Sequence, residues 1–424
     1  MLDLIRKALA AGGAELWTVR RIRSRSAELF FIKTGLDTRR ITDTEEYEVT
    51  VYKDFEEDGK PMRGSSLLHV SPAMGLEEIV AAVKNALFSA GLAKNPFFEL
   101  ADPVTAPQAV PHTALSALTP EQAAEKAAAA LFAAGGDGEA FLNSAEIFAV
   151  RTQCRILNSR GTDVSYERSQ LKGEFVVQCV AEEDVELYRH FAYDDLEEEA
   201  LTALGAEALQ TVRARAKAKP VLPGGEYDLI LSGEQVGELF SYYLSRSSAG
   251  MVYSHYSNYA PGARIQGEDR RGEALNLTLL ASAPYSPEGV PMTDRPLITD
   301  GVLDTLQGPV RFCRYLGMEP TGSYGKLRMT GGTRSLAELK ERPYLQAVQF
   351  SDFQMDPFTG HFGGEIRLAY WFDGQRVREI TGGSVNGVLP EVQDDLLFSR
   401  EQYADDRYEG PFAVRIPGVK VAGI

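Results

Sequence analysis

The sequence predicts an α+β fold: two similar N-terminal helix–strands–helix units followed by a mainly antiparallel β C-terminal domain. Three observations carry this. AELWTVR (14–20) and AEIFAVR (145–151) share four identical positions at an offset of 131 residues, each after a helix pattern that ends in Gly-Gly. Each segment leads into further strand-like runs and then into a longer helix pattern. Beyond residue 220 the chain turns to short β-rich runs, such as ALNLTLLA, EIRLAYWFDG and AVRIPGVKVAG, set among Gly-, Pro- and Tyr-rich segments.

The first unit spans 1–100. Leu2, Ile5 and Leu9 share one side of its opening helix, which Gly12-Gly13 closes. AELWTVRRI, AELFFIK and EYEVTVY read as strands, and Asp58-Gly59 as a turn. A second helix follows Ser71-Pro72, with Leu76, Ile79, Val80, Val83 and Leu87 at helical spacing. Residues 101–119, rich in Pro and small side chains, read as a linker. The central unit, 120–219, opens on Thr119-Pro120-Glu121-Gln122: a cap, a Pro at the first helical position and a capping-box Gln. Its closing helix, 194–212, turns Leu196, Ala200, Leu201, Leu204, Ala208 and Val212 inward. In the C-terminal domain, 220–424, a buried strand leads to SGEQVGELFSYYLSR (232–246). Ser232 and Gln235 have the spacing of a capping box, and Val236, Leu239, Phe240, Tyr243 and Leu244 form an apolar stripe. Ser241, Tyr242 and Arg246 fall outside the stripe, as a solvated face would.

Composition narrows the function. The chain has 424 residues, 44% hydrophobic and 25% charged, as expected of a globular protein. No apolar run approaches the ~18 residues of a membrane span. The N-terminus lacks the long apolar core of a signal peptide, so a cytoplasmic protein is expected. Three scattered cysteines, Cys154, Cys179 and Cys313, read as reduced buried thiols. The five histidines include no pair at helix-face spacing, so no metal and no cofactor is expected from local motifs. The net charge is −16, and the basic runs are short. RRIRSR (20–25) reads as a solvated strand edge, and RARAKAK (213–219) as a helix end. No nucleic-acid partner is expected.

Other chemistry-bearing residues have plain readings beside functional ones. His361 sits in DPFTGHFGG, where a hydrogen-bonded turn residue competes with an acid–base group. Tyr253, His255, Tyr256 and Tyr259 form a polar aromatic loop that could contact a peptide, line an interface or simply pack. His190 precedes a run of carboxylates that a helix N-terminus explains. Cys313 lies between two arginines with no His nearby in sequence, and reads as structural.

Several segments resemble the TldD/PmbA family, once labelled modulators of DNA gyrase. They are PYSPEGVPMTDRPLITDGVL (284–303), Thr321-Gly322, DPFTGHFGGEI (356–366), AVRIPGVKVAG (413–423) and ILNSRGTDVSY (156–166). The resemblance implies a metallopeptidase-like fold in two branches. The TldD-like branch carries H-E-x-x-x-H on a helix in this position, together with a C-terminal Cys. Aligned on Val236-Gly237, those motif positions fall on Ser241, Tyr242 and Arg246, and the last hundred residues hold no Cys. The resemblance therefore implies the PmbA/TldE-like branch, with no catalytic residue and no metal of its own. It further implies a TldD-like metalloprotease partner, a peptide substrate, and a homodimer when the chain is alone. A standalone hydrolase with a non-standard site, or a homodimeric peptide-binding module, are the alternatives.

Overall fold

Between Leu16 and Ile32 no Gly or Pro turns the chain, and the two strand-like runs join into one strand, β1 (Leu16–Ile32). The computed structural model describes residues 1–105, 112–181 and 183–423; the centre of the expected linker, 106–111, lies outside the described residues. Before β1 comes α1 (Leu2–Gly12), closed by Gly13 at φ 82°. After it come β2 (Gly35–Glu57), β3 (Lys60–Val70) and α2 (Leu76–Ala90). A second run follows: α3 (Pro120–Phe132), β4 (Ala140–Asn158), β5 (Asp163–Val180), β6 (Asp184–Tyr193) and α4 (Glu198–Lys217). The Thr119–Gln122 capping box opens α3, each side chain bonding the other's backbone.

All six strands belong to one antiparallel sheet, in the order β3-β2-β1-β4-β5-β6. RRIRSR is therefore not at an edge: β1 is paired on both sides. Its arginines are tolerated there because β2 supplies carboxylates. Arg20 meets Glu48, Arg21 meets Glu45, and Arg23 grips Asp43 with two bonds of 3.0 and 2.8 Å. Helices cover one face. Ile5 and Leu9 of α1 join Ile79 and Val83 of α2 over Val19, Val49 and Val51. Ala124, Ala127 and Leu131 of α3 join Leu201, Leu209 and Val212 of α4 over Leu29, Ile147 and Phe175.

Parts of the sheet also pack on the C-terminal domain. Ile22, Cys154, Ile156, Val164 and Tyr166 pack with Tyr285, and Leu16 and Tyr52 with Phe98, Leu100, Val290 and Val310. Here Glu288 is half-buried and accepts from the Val310 amide at 2.9 Å; desolvation raises its carboxyl pKa.

The C-terminal domain is β-rich, with two sheets that share one core. Its strands are β7 (Gly225–Ser232), β8 (Leu277–Leu280), β9 (Arg295–Thr299), β10 (Val302–Leu303), β11 (Lys326–Met329), β12 (Tyr344–Met355), β13 (His361–Phe372), β14 (Val377–Ile380), β15 (Ser384–Val388), β16 (Leu397–Phe398), β17 (Gln402–Ala404), β18 (Tyr408–Pro411) and β19 (Ala413–Ala422). One sheet runs β12-β7-β19-β15-β13, and β13 pairs back to β12, closing a five-stranded barrel. The second sheet runs β10-β9-β8-β11-β18-β17.

Helix α5 (Glu234–Arg246) touches both sheets, through β7 and β12 on one side and β11 and β18 on the other. Its stripe is as expected: Val236, Leu239, Phe240 and Tyr243 are fully buried, and Leu244 packs half-buried against the same core. Its start is not. Ser232 ends β7 and makes no cap; the chain reverses at Gly233 (φ 65°, ψ −132°), which becomes the N-cap without a side chain, and Gln235 bonds to Glu234 instead. A strand that turns directly into a helix needs a conformation that Gly tolerates and Ser does not. Among the described residues no helix is long and apolar enough to cross a membrane.

Gly237 holds α5 close to β18: a Cβ there would lie 2.8 Å from Tyr408 Cβ. Helix propensity alone makes Gly→Ala stabilising by up to about 1 kcal/mol. Overpacking costs about 1–3 kcal/mol and should win here. Gly237→Ala should therefore lower the urea midpoint at unchanged m-value; a raised midpoint would show that α5 is not packed this tightly.

Candidate functional site

The last turn of α5 carries the residues outside its stripe, and they do not face solvent. Tyr242 is 5% exposed, Arg246 is 9% exposed, and Ser241 is half-buried. What covers them comes from two distant stretches. After α5 a short helix, α6 (Ala249–Tyr253), leads into the 254–259 loop, which folds back on the helix. The 356–361 turn, entering β13, comes over from the barrel.

Arg246 ties these pieces together. Its guanidinium donates to the carbonyl oxygens of Tyr256 and, at 3.3 Å, Phe358, and to Asn258 Oδ1 at 3.0 Å. Its own carbonyl accepts from the Ser257 hydroxyl at 2.6 Å. The guanidinium carbon lies 5.5 Å from the Tyr259 ring centre and 5.9 Å from that of Tyr242. Its Nε is buried and unpartnered. The Tyr242 and Tyr259 hydroxyls lie close enough to affect each other's protonation. Burial raises both phenol pKa values, and that of Tyr243, whose hydroxyl donates to Gln393 Oε1 at 2.9 Å. The core of the site is thus a fixed cation against phenols that stay protonated at neutral pH.

The 356–361 turn is set by Asp356. One carboxylate oxygen accepts from the Phe358 amide at 2.9 Å and the other from the Thr359 hydroxyl at 2.6 Å. The Thr359 bond leads in lowering the Asp356 pKa. Gly360, at φ 78°, lets the turn close against Pro390 and Tyr242; a Cβ there would meet Pro390 Cδ at 2.5 Å. His361 begins β13, exposed, with Nε2 3.0 Å from Asn386 Oδ1.

The loop aromatics separate. Tyr259 turns inward to Arg246. Tyr256 stays 61% exposed and meets exposed Phe358 edge to face, ring centres 5.5 Å apart. Tyr253 goes elsewhere, with ring centres 4.7 Å from Tyr315 and 5.8 Å from Phe312 of α7 (Val310–Tyr315). His255 is exposed at φ 60°. So Tyr242, Arg246, Tyr256 and Tyr259 come together, and Tyr253 does not join them. Asn258, Phe358 and Asp356 were missed as members, although the Asp-Pro and Thr-Gly pairs of DPFTGH were visible turn signals. Cys313 is buried, with burial raising its pKa. His190 lies 3.8 Å from Glu234, not among the carboxylates that follow it in sequence.

Among the described residues no three His, Cys, Asp or Glu side chains converge so as to hold a metal ion. The donors around Arg246 do not fit zinc either. A metal there would meet a permanent positive charge and two protonated phenols.

Two family profiles match the chain. One, described as the PmbA/TldA metallopeptidase C-terminal domain, matches residues 224–424; the other, the PmbA/TldA metallopeptidase central domain, matches 113–216. The chain belongs to the PmbA/TldD family. Solved structures share the fold over essentially the whole length. A protein from Thermotoga maritima described as a modulator of a DNA gyrase has 16% identity and a TM-score of 0.80, over 99% of this chain and 100% of that one. TldE from Thermococcus kodakarensis has 18% identity and a TM-score of 0.79, over 100% of both chains. A protein from Bacteroides thetaiotaomicron described as a modulator of DNA gyrase has 17% identity and a TM-score of 0.79, over 100% of this chain and 99% of that one. At these identities the likeness establishes the fold alone. No curated protein matches the sequence significantly.

Two outcomes follow for the family member's α5 site. Arg246→Met leaves the Tyr256 and Phe358 carbonyls without their donor and should cost about 2–4 kcal/mol, since bonds to charged donors are worth about 1.5–3 kcal/mol each. Arg246→Lys should restore only part, because one ammonium does not reproduce the planar fork. Urea midpoints check this; a loss under about 0.5 kcal/mol, the range of ordinary surface changes, would contradict it. The second outcome concerns alkali. A raised phenol pKa means that the folded state holds the proton more tightly than the unfolded one. The stability this adds is complete below pH ~10 and is lost as pH rises through the folded values. The urea midpoint should therefore fall above pH ~10, and less steeply in Tyr259→Phe; identical slopes would contradict it.

Proposed function

We propose that this chain is a TldE/PmbA-like subunit, without a metal centre of its own, of a TldD/TldE-type metallopeptidase complex acting on peptides or unfolded proteins. One observation carries the reading. Where the resemblance to the metal-carrying branch puts two imidazoles and a base, this chain has Ser241, Tyr242 and a buried Arg246 hydrogen-bonded to its own loops. The fold likeness to TldE is consistent with it.

In this reading the chain contributes a wall and not chemistry. Arg246 pins the 254–259 loop and the 356–361 turn, and the exposed Tyr256–Phe358 pair offers apolar area at their surface. His255 and His361 stand nearby as polar contacts. The units 1–100 and 120–219 are a duplicated pair, and 220–424 is the metallopeptidase-like domain. Alone the chain forms a homodimer, and it exchanges into a complex with a TldD-like protein in the cytoplasm. A net charge of −16 disfavours a nucleic-acid partner.

The purified chain should carry no stoichiometric zinc by elemental analysis and should leave an unfolded protein intact. Mixed with a TldD-like protein from the same genome, it should co-elute and support chelator-sensitive cleavage. One zinc per chain, or chelator-sensitive cleavage by the chain alone, would replace this reading with a standalone peptidase.

A further inference from the structure

A pocket of about 430 Å³ opens on the far side of the loop that follows α6. Its walls are mainly apolar: Val252 of α6, Pro261 of the loop, Leu306 after β10, and Leu316 and Met318 after α7. Val252, Leu316 and Met318 pack on the domain core yet are only half-buried. One cation stands in the wall, Arg295 at the start of β9. Its Nε donates to the Tyr324 hydroxyl at 3.1 Å, and that hydroxyl, on a buried ring, donates to the Thr293 carbonyl at 2.8 Å. The guanidinium is therefore held in one orientation. Its two terminal nitrogens make no hydrogen bond or ion pair among the described residues.

We propose that this pocket binds a monocarboxylate with an apolar body, the carboxylate on the terminal nitrogens of Arg295 and the body against Leu306, Leu316 and Met318. An apolar cavity with one oriented polar group is the usual form of a small-ligand site. With Nε taken by Tyr324, the terminal pair remains, and a planar fork of two N–H donors matches the two oxygens of a carboxylate. The other polar groups of the wall are engaged. The Thr305 and Thr321 hydroxyls donate to the Leu306 and Gly322 carbonyls, at 3.0 and 2.9 Å. Glu319, the one carboxylate in the wall, accepts from Arg314 at 3.1 and 3.2 Å. The carboxylates nearest Arg295 in sequence are engaged too: Asp294 accepts from the Ala281 amide at 3.0 Å, and Asp304 from the Thr299 hydroxyl at 2.7 Å. A single free cation with Glu319 in the same wall suits a singly charged ligand better than a phosphate dianion. Both a free amphipathic acid and the end of a peptide with an apolar last residue have this chemistry. Tyr259 lines the pocket and meets Arg246 with its ring, so the pocket borders the α5 site. The inference rests on the pocket alone and holds whether or not the chain is a peptidase subunit.

The full-length chain is titrated calorimetrically with N-acetylleucine, its amide, N-acetylglycine and N-acetylglycylglycylleucine. Saturable binding of N-acetylleucine, of the tripeptide acid or of both is expected. Binding of N-acetylleucine alone assigns a small free acid, and binding of the tripeptide at least as tightly assigns a peptide end. The amide should bind at least about tenfold more weakly than the acid, for want of the charge. N-acetylglycine should also be at least about tenfold weaker, for want of the apolar side chain. Arg295→Met, with its fold checked by circular dichroism, should abolish the preference for acid over amide. Met318→Asp, at a half-buried position in the wall, should weaken the acids about tenfold or more, and decides the matter if the first variant does not fold. No saturable binding of either leucine acid would overturn the site. So would equal binding of acid and amide, binding of N-acetylglycine as tight as that of N-acetylleucine, or unchanged binding in a variant that folds.

Discussion

The α5 site depends on one buried guanidinium. Arg246 sits at the end of a helix whose apolar stripe is locked between a barrel and a second sheet, so the position of the charge is fixed before any loop reaches it. A cation taken from water must regain its hydrogen bonds inside the protein. It regains them from a carbonyl ten residues ahead, a carbonyl 112 residues ahead and an asparagine side chain twelve residues ahead. The two loops are therefore ordered around the charge. The acceptor atoms that face the charge are engaged by it, and the phenols that flank it stay protonated.

How far the sequence could be read follows from where each partner lies along it. The α5 stripe was legible because its period is local, as were the Thr119–Gln122 box and the αβ order. The burial of Tyr242 and Arg246 was not. A helical wheel says which residues leave the stripe, but not whether a loop from residue 256 or 358 comes back to cover them. RRIRSR was misread as an edge for the same reason: β2 and β4 flank it only in the folded sheet, and β2 brings Glu48, Glu45 and Asp43 to its arginines, while Arg23 and Arg25 stay exposed as expected. Ser232 had the spacing of a cap, but β7 runs on through it, and only Gly233 can make the reversal. Family membership was legible for a different reason. It rests on several spaced segments in order, and none of them needs a tertiary contact to be recognised.

Charge is handled alike across much of the molecule. The formal net charge is −16, yet many of the arginines are committed to particular carboxylates or carbonyls. Arg63 is buried against Asp54 and the Phe98 carbonyl, and Arg415 against Asp228 and two carbonyls. Such pairs add little net stability compared with apolar packing, but losing one partner strands the other. They fix where strands and loops meet, and Arg246 does the same for the α5 turn.

A protein cation fills the α5 turn, and among the described residues no cluster of His, Cys, Asp or Glu there could hold a metal ion. Anomalous scattering at the zinc edge, from crystals of this chain grown with excess zinc, tests it most directly. Guanidinium density bonded to Tyr256, Phe358 and Asn258, with no anomalous peak there, is the expected result. An anomalous peak within bonding distance of Ser241 or Tyr242, with the Arg246 side chain displaced outward, would contradict it.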